Sequence, residues 1–357
     1  MCRKQITFSV MLLLTVTIIL TTSCNIDEDD PKQVINKTPL FGPQEYEQDE
    51  LEQFTSPLYL TIIIHTEEDI SKCKNPKARI PDYDGNEELT LHFTNAMREF
   101  AEMVASHNAK INFGTDWTYS NAIELYDPTF YTDLEAMGHE IDAHAHESCI
   151  LYHEVREDIV DAGGTPTKVA SGMTEGDIYD QMEYFDKYYP EFELLWGVAL
   201  AEHTAGEETS GWVWRPSRDN WLEHDPEGKY IHIGHGEYAN SIEYIQNSVD
   251  NIKPNYINTY AVFTNPREFL AAPGTPGIPD EWTAETDSYD YWEKRIEWWD
   301  QFLTELDDME DVEYASLTDI ANTFLENEDN LDFDYDTENH PRSDSPGPSR
   351  QIKAGYP

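Results

Sequence analysis

Leu58-Tyr59-Leu60-Thr61-Ile62-Ile63-Ile64-His65 is an almost unbroken aliphatic and β-branched run closed by a histidine, and Thr66-Glu67-Glu68-Asp69 follows it directly. A run this short and this apolar reads as a strand buried on both faces, the pattern of a parallel sheet covered by helices. Its polar end is equally informative. A strand that runs into His65, Glu67, Glu68 and Asp69 places titratable groups where a loop begins, which is where α/β folds carry their chemistry.

Working outward, the same alternation recurs. Lys72 to Glu88 reads as a loop, Leu91 to His107 as a helix, and Lys110 to Gly114 as a second strand, with a helix ending near Met137. Gly138-His139-Glu140-Ile141-Asp142-Ala143-His144-Ala145-His146-Glu147 comes next. Strand alternation puts Asp142, His144 and His146 on one face and Ile141, Ala143 and Ala145 on the other. Downstream, the spacing predicts a helix from Glu175 to Tyr189 and strands from Leu194 to Leu200, Trp212 to Pro216 and Tyr230 to Glu237. A helix over Ser241 to Ile252 and a strand over Ile257 to Phe263 follow. The series ends with a helix over Tyr289 to Leu306, a strand from Val312 to Leu317 and a helix from Thr318 to Glu326. Alternating strands and helices imply an α/β fold with parallel pairing, and seven or eight units in this length point to a (β/α) barrel, with a doubly wound sheet as the alternative.

The ends of the chain read differently. Arg3 and Lys4 precede an apolar run from Ile6 to Leu20 that has the size of a signal-peptide core and is short for a membrane span. It ends in Thr21-Thr22-Ser23-Cys24, which resembles a bacterial lipoprotein signal with Cys24 as the lipidated residue. Asn25-Ile26-Asp27-Glu28-Asp29-Asp30 then resembles the acidic export tag of surface lipoproteins in the Bacteroidetes. The expected organisation is a leader over 1–23, an acidic tether over 24–56, the barrel domain over 57–326 and an acidic, proline-containing tail over 327–357. The expected location is the outer membrane of a Gram-negative bacterium, at the cell surface or facing the periplasm. Cys73 and Cys149 could pair in an oxidising compartment, or Cys149 could remain a buried thiol near His146.

A formal net charge of -48 excludes nucleic acid and anionic membrane surfaces as electrostatic partners. Membrane contact is therefore expected only through the lipid on Cys24.

Two imidazoles and a carboxylate suit a divalent ion, zinc first, with a coordination position left open; such an ion acidifies a bound water enough to supply hydroxide near neutrality. A further carboxylate can take the water's proton, and a protonated group opposite can serve the leaving group.

These residues resemble the polysaccharide deacetylase family. Thr66-Glu67-Glu68-Asp69 is similar to its Thr-Phe-Asp-Asp turn, Gly138 to His144 to its Gly-His-Glu-Ile-Gly-x-His segment, Arg215-Pro216 to its arginine-proline pair, and Val312 to Ile320 to its last strand and helix. The resemblance implies a distorted (β/α)7–8 barrel and a metal-dependent esterase that removes acetyl groups from a glycan by attack of a metal-bound water. It implies Asp69 and His144 as metal ligands, Glu68 as base, Arg215 as the residue that orients the base, and His235 as general acid. Where the family has its second histidine this chain has Ser148. His146 is taken as the substitute ligand, with His153 as the alternative. Two other readings follow from the same residues. One is a non-catalytic glycan-binding relative; the other is a metal-free glycoside hydrolase using Glu68 and Glu202. Trp212 and Trp214, beside Arg215, are candidate sugar platforms.

Overall fold

The computed structural model describes residues 54–66, 83–145, 150–172, 186–187, 191–197, 211–218, 223–234, 240–269 and 292–333. β1 (Leu58–His65) is the fully buried strand that its composition predicts, and it organises the sheet. On one side it pairs with β8 (Asn258–Thr264) from Leu58 to Ile64. Its other side is shared: β9 (Val312–Tyr314) lies beside Leu58 to Leu60, and β2 (Ile111–Thr115) beside Ile62 to His65. From β2 the sheet continues through β3 (Glu140–His144), β4 (Pro166–Ser171), β5 (Leu194–Trp196) and β7 (Ile231–Ile233) to β6 (Val213–Trp214). The ladders among the described residues are parallel except β6 with β7.

The fold is therefore α/β, with a mainly parallel sheet that curls on itself without closing. Its two ends, β6 and β8, approach where the Thr259 N–H donates to the Gly211 carbonyl at 2.7 Å and the Thr259 hydroxyl reaches the Gly234 carbonyl. β6, with two residues, offers little edge to the seven-residue β8, so among the described residues a continuous ladder does not complete the expected barrel there.

Helices α1 (Glu87–Ser106), α2 (Trp117–Tyr126), α3 (Phe130–Ala136), α4 (Tyr152–Asp161), α5 (Ile242–Asp250) and α6 (Trp292–Asp307) cover the outer face, whereas α7 (Leu317–Asn327) packs on the inner one. α1 starts ahead of the predicted Leu91 because Asn86 caps it, its side chain accepting the Leu89 N–H at 3.1 Å. α4 and β4 have no counterpart in the sequence reading. Charged residues surround the buried Tyr152, Val155 and Ile159 of α4, and β4 opens on Pro166 with Thr167 and Lys168 before its apolar part.

Two apolar layers result. Ile62 and Ile64 of β1, Phe113 of β2, and Ile141, Ala143 and Ala145 pack under the helices, the last three as the alternation of that segment predicted. Ile63, Val169, Trp196, Ile231, Ile233 and Ala261 face inward and meet Leu317, Ile320, Ala321 and Phe324 of α7. Those four recur at i, i+3, i+4 and i+7, one stripe of a helix. Its first turn is pinned at the start of the strands, the Leu317 N–H on Asn112 Oδ1 at 2.9 Å and the Thr318 hydroxyl on Glu140 Oε2 at 3.0 Å. The inner layer is thus filled from the N-terminal end of the strands. Leu331 and Phe333 pack on the same layer. Among the described residues no helix is long and apolar enough to cross a membrane; the leader and most of the tether lie outside them.

Candidate functional site

β3 carries the motif from one end of the sheet to the other, and its residues divide by height. His139, just before the strand, accepts the Ile111 N–H at Nδ1 (3.1 Å) and donates from Nε2 to the Ala101 carbonyl (3.0 Å), fastening β2 to α1. Glu140, on the inner face, accepts from Asn112 Nδ2 at 2.8 Å and from the Ser316 hydroxyl at 2.8 Å, where α7 begins. Asp142 comes one step higher. It accepts from Asn112 Nδ2 at 2.9 Å and from the Thr167 hydroxyl, and burial, then the Glu140 charge, pushes its carboxyl up to about 7. His144 ends the strand, 1 % exposed.

At that end His144 meets His65. Their rings stack with centroids 3.8 Å apart and planes 17° from parallel. Ser171, the last residue of β4, serves both: its carbonyl accepts the His144 Nδ1–H at 2.8 Å, and its hydroxyl lies 2.9 Å from His65 Nε2. The Tyr152 hydroxyl also donates to the Ser171 carbonyl, at 3.2 Å. Trp196 and Phe263 present their edges or faces to His65 at centroid distances of 5.5 and 5.2 Å. Thr66, which opens the acidic turn, is held by Asp116: its hydroxyl donates to Asp116 Oδ2 and accepts the Asp116 N–H at 2.9 Å. Asp116 in turn caps α2, accepting the N–H groups of Thr118 and Tyr119.

A carbonyl can only accept, so the His144 proton sits on Nδ1 and the lone pair on Nε2, the form in which histidine binds a metal ion. His144 therefore fits the ligand role. His65 does not fit as its co-ligand. Ring-nitrogen lone pairs lie in the ring plane, and two nearly parallel planes 3.8 Å apart cannot both aim at an ion about 2.0–2.1 Å away.

Glu68, Asp69, His146 and His235, with Ser148, Cys73, Cys149 and Glu202, lie outside the described residues. Among the described residues no group of three His, Cys, Asp or Glu side chains is arranged to hold an ion. Arg215 is described, and it stands at the other end of the sheet from His144. β6 runs against β7 with Trp214 opposite His232, so the chain at Arg215 is heading towards the strands' N-terminal end. There its guanidinium grips Glu328, Nε to Oε1 at 2.6 Å and Nη2 to Oε2 at 3.0 Å, and also donates to the Gly228 carbonyl at 2.8 Å. Its contacts are those of a strut that fastens the end of α7, where the sequence reading expects a residue orienting Glu68. His153 falls in the first turn of α4 instead of at a strand end, and burial lowers its pKa. Trp214 is buried against His232, with centroids 4.4 Å apart, and Trp212 lies against Tyr256 at 4.7 Å. These are packing contacts, not open sugar platforms.

Sequence reasoning anticipated His144 and, by strand parity, His65. It missed Ser171 of β4 and Phe263 of β8, and took Trp196 of β5 only as one of several tryptophans that could stack on sugar. The available signal for Ser171 was the Val169-Ala170-Ser171-Gly172 step, a short apolar pair ending on a small polar residue and a glycine.

No protein-family model matches the sequence, and no curated protein matches it. Solved structures with a similar course of chain exist. A candidate polysaccharide deacetylase from Mycobacterium smegmatis is 11 % identical over 78 % of this chain and 96 % of its own, with a TM-score of 0.46. A candidate glycoside hydrolase/deacetylase from Parabacteroides distasonis is 9 % identical over 78 % of this chain and 73 % of its own, with a TM-score of 0.49. An allantoinase is 12 % identical over 75 % of this chain and 90 % of its own, with a TM-score of 0.46. At these values none of them assigns a residue or an activity to this chain.

Proposed function

We propose that this chain is a metal-dependent carbohydrate esterase that removes acetyl groups from a glycan. The observation that carries the reading is the hydrogen bond from His144 Nδ1 to the Ser171 carbonyl at 2.8 Å, which leaves Nε2 as the donor atom at the C-terminal end of a strand. Asp69 and His146, which come after β1 and β3 in the sequence, would complete the ligand set. When bound, a zinc-type ion supplies an acidified water and polarises the acyl oxygen. Glu68 takes the proton as the water oxygen bonds to the acetyl carbon, and His235 gives a proton to the sugar oxygen or nitrogen as its bond to that carbon breaks. Acetate and the deacetylated glycan leave. Arg215 has no part in this scheme.

We place the chain, by the same reading, on the outer membrane through a lipid on Cys24. The catalytic test is direct. Purified protein should hold about one transition-metal ion per chain and release acetate from acetylated oligosaccharides, a chelator should stop that release, and His144→Ala should abolish it with the fold retained. Glycan binding with neither metal nor acetate would favour a binding protein, and new reducing ends without metal a glycoside hydrolase; either result ends the esterase reading.

A further inference from the structure

We propose that His65 is a positioning residue of the candidate site: held by the Ser171 hydroxyl, its imidazole lies flat on His144 and fixes the direction in which His144 Nε2 points. The proposal rests on the esterase reading only for what Nε2 is aimed at.

A hydrogen bond at one ring nitrogen does not by itself stop a histidine from tilting about the line of that bond. His144 has its tether at Nδ1, on the Ser171 carbonyl. A second ring stacked at 3.8 Å blocks the tilt on one side. That only works if the second ring is itself immobile, and His65 is enclosed on every side the structure describes. Ser171 Oγ holds its Nε2 at 2.9 Å, and Trp196 and Phe263 stand nearly perpendicular to it.

Two glycines make room for the stack. A Cβ at Gly114 would stand 2.6 Å from His65 Cδ2, and one at Gly172 would stand 2.8 Å from His65 Cε1 and 2.9 Å from His144 Nδ1. Gly172 also has φ +84, a conformation that side chains disfavour. Strand ends from β1, β2, β3 and β4 thus converge on one pair of rings. Ser171 is the shared anchor, with its backbone for one imidazole and its side chain for the other.

The test compares full-length wild type with His65→Gln and Ser171→Ala, two changes that add no bulk. Zinc affinity is read by chelator competition, and the His144 ring by nitrogen-15 correlation spectra of the metal-free protein. Both variants should bind zinc about tenfold to a hundredfold more weakly, the usual effect of removing a group that orients a ligand. The metal-free His144 should keep its proton on Nδ1 while its ring signals broaden. Unchanged zinc affinity and unchanged His144 signals in both variants would overturn the proposal. So would complete loss of zinc in His65→Gln alone, because His65 would then be a ligand. If wild type binds no zinc, the esterase reading falls; the metal-free spectra still decide the positioning role, with sharp, unshifted His144 signals in both variants counting against it.

Discussion

Asp158 lies half-buried on α4 with Asp161, Glu154 and Glu157 close by and Glu124 of α2 near. Burial first, then those four negative charges, pushes its carboxyl from 3.8 up to about 6. A carboxyl whose pKa is raised by folding favours the native state in its protonated form, so its contribution declines as pH climbs from about 4 to about 6 and stays low above that. Asp158→Asn should therefore leave Tm unchanged near pH 4 and raise it at pH 7 to 8; thermal melts at the two pH values check this, and an equal effect at both would rule the account out. The same residue-level reasoning separates the histidines of the β3 motif. His139 spends both nitrogens on backbone groups, whereas His144 gives its Nδ1–H to the Ser171 carbonyl and carries its lone pair on Nε2. Both were visible in the sequence as histidines of one short segment. Which was structural was not, because the difference lies in partners at Ala101, Ile111 and Ser171, far away along the chain.

At the scale of elements, β3 and α7 were both legible, β3 from its alternation and α7 as a helix over Thr318 to Glu326, although Leu317, read as the end of the strand, belongs to the helix. Their connection was not. Glu140, which looks in sequence like one more acidic residue of a metal motif, is the acceptor on which α7 starts, taking hydrogen bonds from Ser316 and Thr318 beside Asn112. A carboxylate at a helix N-terminus also interacts favourably with the helix dipole. Glu140→Ala should strand these buried donors and cost about 1–3 kcal/mol, with loss of amide protection spreading from the first turn of α7. Hydrogen exchange that stays native-like in α7 would show that the pin is dispensable. α4 and β4 escaped the sequence reading for a related reason. Each shows only a short apolar face in a polar setting, and that face becomes evident only when α4 covers β3 and β4.

For the whole molecule, a net charge of -48 bears on location as well as on partners. So acidic a chain gains nothing from approaching an anionic bilayer, and any attachment must be hydrophobic. The full chain should accordingly stay with the membrane fraction in 1 M salt, on the order of ten times the ionic strength that already limits exposed charges to a Debye length of about 8–10 Å. Cys24→Ala should move it to the soluble fraction, and release of the unaltered chain by salt alone would contradict a lipid anchor.

The sequence by itself determined the α/β class, the burial of β1, the two faces of β3, and His144 as the group to watch. These follow from side-chain periodicity, a local property that survives without knowledge of neighbours. Tertiary structure alone decided the rest: that the sheet curls without a completed ladder among the described residues, that Arg215 braces Glu328, and that Ser171 holds His65 against His144. Each of those depends on where residues distant in the chain come to rest, and hydrogen bonds and ring stacking act only across the few ångströms that folding creates.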